Sequence, residues 1–227
     1  MKITYLGHAA FSIEIGGQSL LIDPFISANE LATEVNLDEL KPDYILLTHG
    51  HEDHVLDAQV IAQKCGAKIV SNFEIVSWYA EHHEIEGVPM NIGGQIQLDD
   101  VTIKSVTAVH SSVLPDGSYA GNPGGFVIWD SESCIYVAGD TALTLDMQLI
   151  PQICPPLAVA ILPIGDQFTM GYKDACLAAE FVNCEQVIGC HYDTWEPLNL
   201  NHDEAQVYFA NQGKSLLLMA IGEEAYI

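Results

Sequence analysis

The segment Thr48-His49-Gly50-His51-Glu52-Asp53-His54 carries three histidines and an aspartate in six consecutive positions, 49 to 54. It follows an apolar run at 43–47 and precedes a stretch with helical spacing at 54–64. A loop at a strand end is not tied to a fixed period, so ligands on it can converge on one point. His49 and His51 are two apart and can face the same side of an extended turn. Asp53 and His54 stand where a helix begins, and the helix dipole favours a carboxylate there. Imidazole and carboxylate together suit zinc, and also manganese or iron. A chance polar turn of this composition would bury three imidazoles with unpaired nitrogens, which is costly.

Three more polar residues end strand-like runs. His110 closes the run 101–109, Asp140 follows Ile135-Tyr136-Val137-Ala138-Gly139, and His191 follows Val187-Ile188-Gly189-Cys190. Ligands concentrate at the C-terminal ends of strands in open α/β sheets. Each residue is a weak signal alone. Beside the first segment they complete a candidate metal set of His49, His51, Asp53, His54, His110, Asp140 and His191.

The elements that must position this set interleave strands with helices. Strand patterns run over 2–6, 10–15, 18–22, 43–47, 68–71, 95–98, 101–109, 125–129, 133–138, 158–162, 186–190 and 215–219. Helical spacing covers 54–64, 73–82, 172–182 and 203–211. Two sheets packed face to face with helices outside accommodate this order, as one α/β (α+β) domain over residues 1–227. The Gly-, Pro- and Ser-rich stretch 111–125 reads as a long ordered loop.

Seven basic residues face 31 acidic ones, for a formal net charge of -24. All the bases are lysines, so no guanidinium can clamp a phosphate or carboxylate. So negative a chain repels a phosphate backbone, and nucleic acid is not an expected partner. The six cysteines form no C-x-x-C pair, and the chain opens directly on a strand pattern. The expectation is a cytoplasmic protein with reduced thiols, no membrane span, a small-molecule substrate and assembly as a homo-oligomer.

Thr48 to His54 resembles the H-x-H-x-D-H signature of the metallo-β-lactamase superfamily. His110, Gly139-Asp140-Thr141 and His191 follow in that family's order. The resemblance is closer to one branch, the UPF0173-like metal-dependent hydrolases related to ascorbate-6-phosphate lactonase. It is carried by Leu6-Gly7-His8-Ala9-Ala10-Phe11, Asp23-Pro24-Phe25, His110-Ser111-Ser112 and the run from Leu162 to Gly171. One departure is Tyr172-Lys173, where the branch commonly has proline and an acidic residue; it bears on substrate preference, not on the metal set.

The resemblance implies a four-layer αβ/βα sandwich with two divalent ions at one edge, zinc first and manganese or iron as alternatives. His49, His51 and His110 would hold one ion, Asp53, His54 and His191 the other, and Asp140 would bridge them. A hydroxide held between two cations would attack a small-molecule lactone, ester or phosphodiester. Asp53 would also be catalytic, orienting that nucleophile and passing its proton to the leaving group. His8, beside the metals in such a fold, is a candidate substrate contact or a satisfied structural histidine. Asp166, Phe168 and Met170 are candidates for the substrate pocket, with ordinary packing an equal alternative. Two other readings stay open: a metal- or metabolite-binding or redox relative without hydrolytic activity, and, against the charge, a nuclease.

Overall fold

The computed structural model describes residues 1–227. β1 (Lys2–Gly7), β2 (Ala10–Ile15) and β3 (Gln18–Ile22) run antiparallel, and β4 (Tyr44–Leu46), β5 (Lys68–Ser71) and β6 (Gly87–Pro89) extend the sheet in parallel. The second sheet repeats the plan. β7 (Gln95–Leu98), β8 (Val101–Thr107), β9 (Gly124–Trp129) and β10 (Cys134–Val137) are antiparallel. β11 (Val159–Pro163), β12 (Gln186–Cys190) and β13 (Ser215–Leu217) follow in parallel. The last strand, β14 (Glu224–Tyr226), returns to the first sheet and pairs with β1, Lys2 opposite Tyr226.

Strand alternation builds the layers. Leu20 and Ile22 of β3 point into a core shared with Val101, Ile103, Phe126, Ile128 and Ile135 of the other sheet. Leu21, between them, points outward with Ile45 and Ile69. There it meets α2 (Ala58–Cys65) through Ile61 and Ala62, and α3 (Phe73–His83) through Ile75 and Tyr79. The second sheet is covered likewise. Tyr136, Ala160 and Leu162 meet Ile150 of α4 (Ile150–Ile153), Ala175 and Ala179 of α5 (Tyr172–Phe181) and Ala205 and Phe209 of α6 (His202–Asn211). The expected αβ/βα sandwich is therefore present. No helix is long and apolar enough to cross a membrane.

The helix expected over 54–64 is broken. α1 spans Glu52–Val55, and α2 begins at Ala58. In a continuous helix the Asp57 N–H would bond to the Asp53 carbonyl. Instead it donates to the Pro24 carbonyl, while the Asp57 carboxylate accepts from the Ile26 and Ser27 amides. Tertiary bonds thus override helical spacing and bring the loop after β3 against the His49–His54 segment. β8 ends at Thr107, short of the expected 109. The Val109 amide leaves the sheet to bond Thr141 Oγ1, and Val109 O accepts from the Ala142 amide.

Candidate metal centre

The seven candidate ligands come from segments that follow β4, β8, β10 and β12, at one edge of the sandwich. The two ties between Val109 and residues 141–142 set His110 beside Asp140. Gly139, at φ +63°, lets the turn before Asp140 lie on Thr48; a Cβ there would come within 2.8 Å of the Thr48 Cβ.

Asp140 is the hub. Its Oδ2 lies 3.1 Å from Nε2 of His191, 3.4 Å from that of His54, 3.5 Å from that of His110 and 4.0 Å from that of His49. Asp53 Oδ2 lies 3.7 Å from His191 Nε2 and 3.8 Å from His54 Nε2. Ligand-capable atoms of His49, His51 and His110 cluster within 4.8 Å of one another, as do those of His8, Asp53, His54 and His191.

Hydrogen bonds behind the rings decide which nitrogen faces inward. Asp23 directly follows β3 and accepts from the Thr48 amide at 2.8 Å and the Thr48 hydroxyl at 2.6 Å. It also sits 2.9 Å from His54 Nδ1. A carboxylate can only accept, so Nδ1 carries the proton and Nε2 presents a lone pair to the centre. The Thr48 hydroxyl proton goes to Asp23, so its oxygen accepts from His49 Nδ1 at 3.0 Å, and His49 also presents Nε2. His51 is turned the other way. Its Nε2 lies 3.3 Å from Ser111 Oγ, and its Nδ1 lies 2.9 Å from His49 Nε2.

The electrostatics fit a cation. Burial lowers the pKa of His49, His51 and His110, favouring the neutral, ligating form. Burial opposes charge on His54 and His191 too, but Asp140 and neighbouring carboxylates outweigh it. His54 is raised, and His191 is pushed up to about 9. Burial also works against the Asp53 and Asp140 carboxylates, yet the surrounding imidazoles hold both well below the usual range. His54 Nε2 and both ring nitrogens of His191 are buried without a hydrogen-bond partner. Buried ring nitrogens are rarely left unpaired. A divalent ion among nitrogen and carboxylate donors would satisfy the Nε2 atoms of His54 and His191, so the residues present fit such an ion.

His8 lies in this centre, at φ +54°, with its carbonyl accepting from the His191 amide. Its Nε2 is 3.1 Å from Asp53 Oδ2 and its Nδ1 2.8 Å from Thr194 Oγ1. Burial lowers its pKa to about 4, so the ring is neutral and donates from Nε2 to Asp53. The loop with Asp166, Phe168 and Met170 is tied in by the Met170 amide, which donates to the Thr141 carbonyl. Asp166 caps its own loop at the Gln167 amide, and Phe168 is exposed. Met170 is buried in the core cluster that includes Ala175 and Ala179 of α5. His82 and His83 lie at the end of α3, and His202 starts α6 and pairs with Asp193 at 2.5 Å. A separate cleft of about 740 Å³ lies around Glu14, Asp43, Asp100 and Asp130, and holds no residue of the centre.

Sequence reasoning gave no functional role to Asp23, Thr48, Thr194 or Trp195. Asp23 had a readable signal: it follows β3 as Asp140 follows β10, and metal-binding histidines commonly need a carboxylate behind them. Thr194 and Trp195 had none, because only the fold brings the loop after His191 to His8.

A family model described as a beta-lactamase superfamily domain matches residues 2–191. Two proteins named UPF0173 metal-dependent hydrolase, from Christiangramia forsetii and Flavobacterium johnsoniae, are each 51% identical to this chain, with 98% of both partners covered. Among solved structures, the metallo hydrolase Igni18 from the hyperthermophilic archaeon Ignicoccus hospitalis is 35% identical with a TM-score of 0.88. That match covers 99% of this chain and 97% of Igni18.

Proposed function

This chain belongs to the UPF0173 metal-dependent hydrolases of the beta-lactamase superfamily, and from that membership we propose that it cleaves a small-molecule lactone, ester or phosphodiester at a centre for two divalent ions. His49, His51 and His110 would hold one ion, and Asp53, His54 and His191 the other, with Asp140 shared. Zinc suits the nitrogen-rich set best, with manganese or iron as alternatives. Such a pair, when bound, supplies Lewis acidity and lowers the pKa of water towards neutrality. The observation that carries the proposal is the approach of four imidazole Nε2 atoms to one carboxylate oxygen, Asp140 Oδ2, at 3.1 to 4.0 Å.

The chain's own residues handle position and protons. The Asp53 side chain keeps a quarter of its surface exposed, so it can reach an attacking water and the departing alcohol. His8 holds Asp53 from behind, and Thr194 holds His8. No thiol nucleophile is at hand. Cys190, next to His191, is buried, and burial raises its thiol well above the ordinary range. With no arginine in the chain, a lactone or ester suits the site better than a free phosphate.

The test is turnover of a panel of lactones, esters, phosphodiesters and thioesters by protein reconstituted separately with zinc and manganese. Metal-dependent hydrolysis of one class, lost in Asp53→Asn, supports the proposal. Metal-loaded protein that turns over nothing on the panel contradicts it.

A further inference from the structure

Beside Asp53 lies a pocket of about 500 Å³ lined by Phe25, Ala28, Glu52, Asp53, Leu56 and Trp195. Asp53 belongs to both the pocket and the candidate centre, so a group held in the pocket sits next to the reacting bond. Its walls are chiefly aromatic and aliphatic. The Phe25 and Trp195 rings lie 5.8 Å apart at 54°, and His8 packs edge-on to both, at 5.6 and 4.9 Å. Phe25 is buried in that stack. Trp195 is anchored by it, yet keeps 41% of its surface exposed. A rigid aromatic wall with a free face is suited to a flat apolar group.

The charge on this wall has one sign. Glu52, exposed at the start of α1, and Asp53 are its charged groups, and no lysine lines it. Lys2, Lys64 and Lys68 are ion-paired elsewhere, and Lys173 lies over Tyr172 and Tyr208. On this wall an anionic substituent would meet Glu52 with no lysine beside it, and such repulsion sets specificity.

We propose that this pocket receives an uncharged aryl substituent of the substrate and rejects substituents that carry a negative charge. The proposal rests on the hydrolase reading for its reaction: water adds to the acyl carbon, the acyl C–O bond breaks, and a carboxylic acid and a hydroxyl form, both on one opened chain when the substrate is a lactone. The pocket itself is a binding feature and can be tested apart from turnover.

Two matched series separate the questions. γ-Methyl-, γ-phenyl- and γ-(4-carboxyphenyl)-γ-butyrolactone report turnover by zinc-loaded protein. The corresponding 5-substituted 2-pyrrolidinones, with the ester replaced by an amide, report equilibrium binding by calorimetry. The phenyl lactam should bind about tenfold tighter than the methyl one, a gain expected for burying an aryl face. The carboxyphenyl lactam should bind more weakly than the phenyl one. Trp195→Ala should shrink the phenyl-to-methyl ratio, and Glu52→Lys, at an exposed position, should close the gap between carboxyphenyl and phenyl. No measurable binding of the phenyl lactam, equal or tighter binding of the carboxyphenyl lactam, or ratios unmoved by both substitutions overturns the proposal. Lactam preferences as expected with no lactone turned over uphold the pocket and remove lactones from the proposed substrate classes. Lactone turnover without those preferences does the reverse.

Discussion

His54 Nδ1 lies 2.9 Å from Oδ2 of Asp23, a residue 31 positions earlier in the chain. The same carboxylate takes both the amide and the hydroxyl of Thr48, whose oxygen faces His49 Nδ1. One buried aspartate therefore sets the ring orientation of two candidate ligands. Asp23→Asn should weaken metal binding by about 10- to 100-fold, the usual cost of losing a group that orients a ligand. Competition against a chromogenic chelator measures it. Unchanged affinity would remove Asp23 from the account.

His8 acts on Asp53 through its Nε2–H, and burial keeps the ring neutral at pH 7. His8→Gln can retain a donor near that position, and His8→Ala cannot. The alanine variant should lose about 10- to 100-fold in metal retention or turnover, and the glutamine variant less. The rate of metal release to a chelator follows this without a known substrate. Equal losses in the two variants would assign His8 a packing role only.

Gly165 follows β11, and its Cα lies against the His191 carbonyl so closely that a Cβ would collide with backbone. Gly165→Ala must push away the segment that carries His191. The expected result is a melting temperature lower by several degrees and weaker metal binding, because a clash against backbone has no soft side chain to absorb it. A variant with wild-type stability and metal affinity would show that the β11 and β12 loops shift freely.

The protons of the metal-free centre predict a pH dependence. Burial lowers the His191 pKa, but Asp140 and Asp53 outweigh it and raise the value from 6.5 to about 9. His54 is raised in the same way by Asp140 and Asp23. The His191 ring is therefore protonated near neutral pH, and a ligand must be neutral, so metal binding expels its proton. Apparent affinity should climb with pH, about tenfold per unit for each proton expelled, and level off near 9. The stability that the protonated His191 ring lends the metal-free protein is complete below pH 6.5 and lost as pH rises through about 9. Chelator competition and thermal melts across that range test both slopes. Flat metal affinity would contradict the assignment.

Thr48 to His54 was legible because its residue types are hard to place otherwise, and His110, Asp140 and His191 because each ends an apolar run. The fold brings the histidines and Asp53 into two neighbouring clusters, with Asp140 beside His54, His110 and His191. The strands with clear alternation were legible as well. β6 and β14 were not: each has three residues, and β14 pairs with β1 from the far end of the chain. The break after α1 depends on the Asp57 amide finding Pro24, which no local pattern announces. Met170 was read as a pocket candidate from its loop, but its side chain turns into the core. The Phe25–Trp195 wall joins residues 170 positions apart, and only tertiary structure could reveal it.

The central claim is a two-ion centre shared through Asp140. The direct measurement is elemental analysis of metal per chain after reconstitution with zinc and removal of excess ion, for the unaltered protein and for Asp140→Ala. The account predicts about two ions per chain, as for a two-metal hydrolase, falling to one or fewer in the variant. One ion or none in the unaltered protein, or two retained without Asp140, would contradict it.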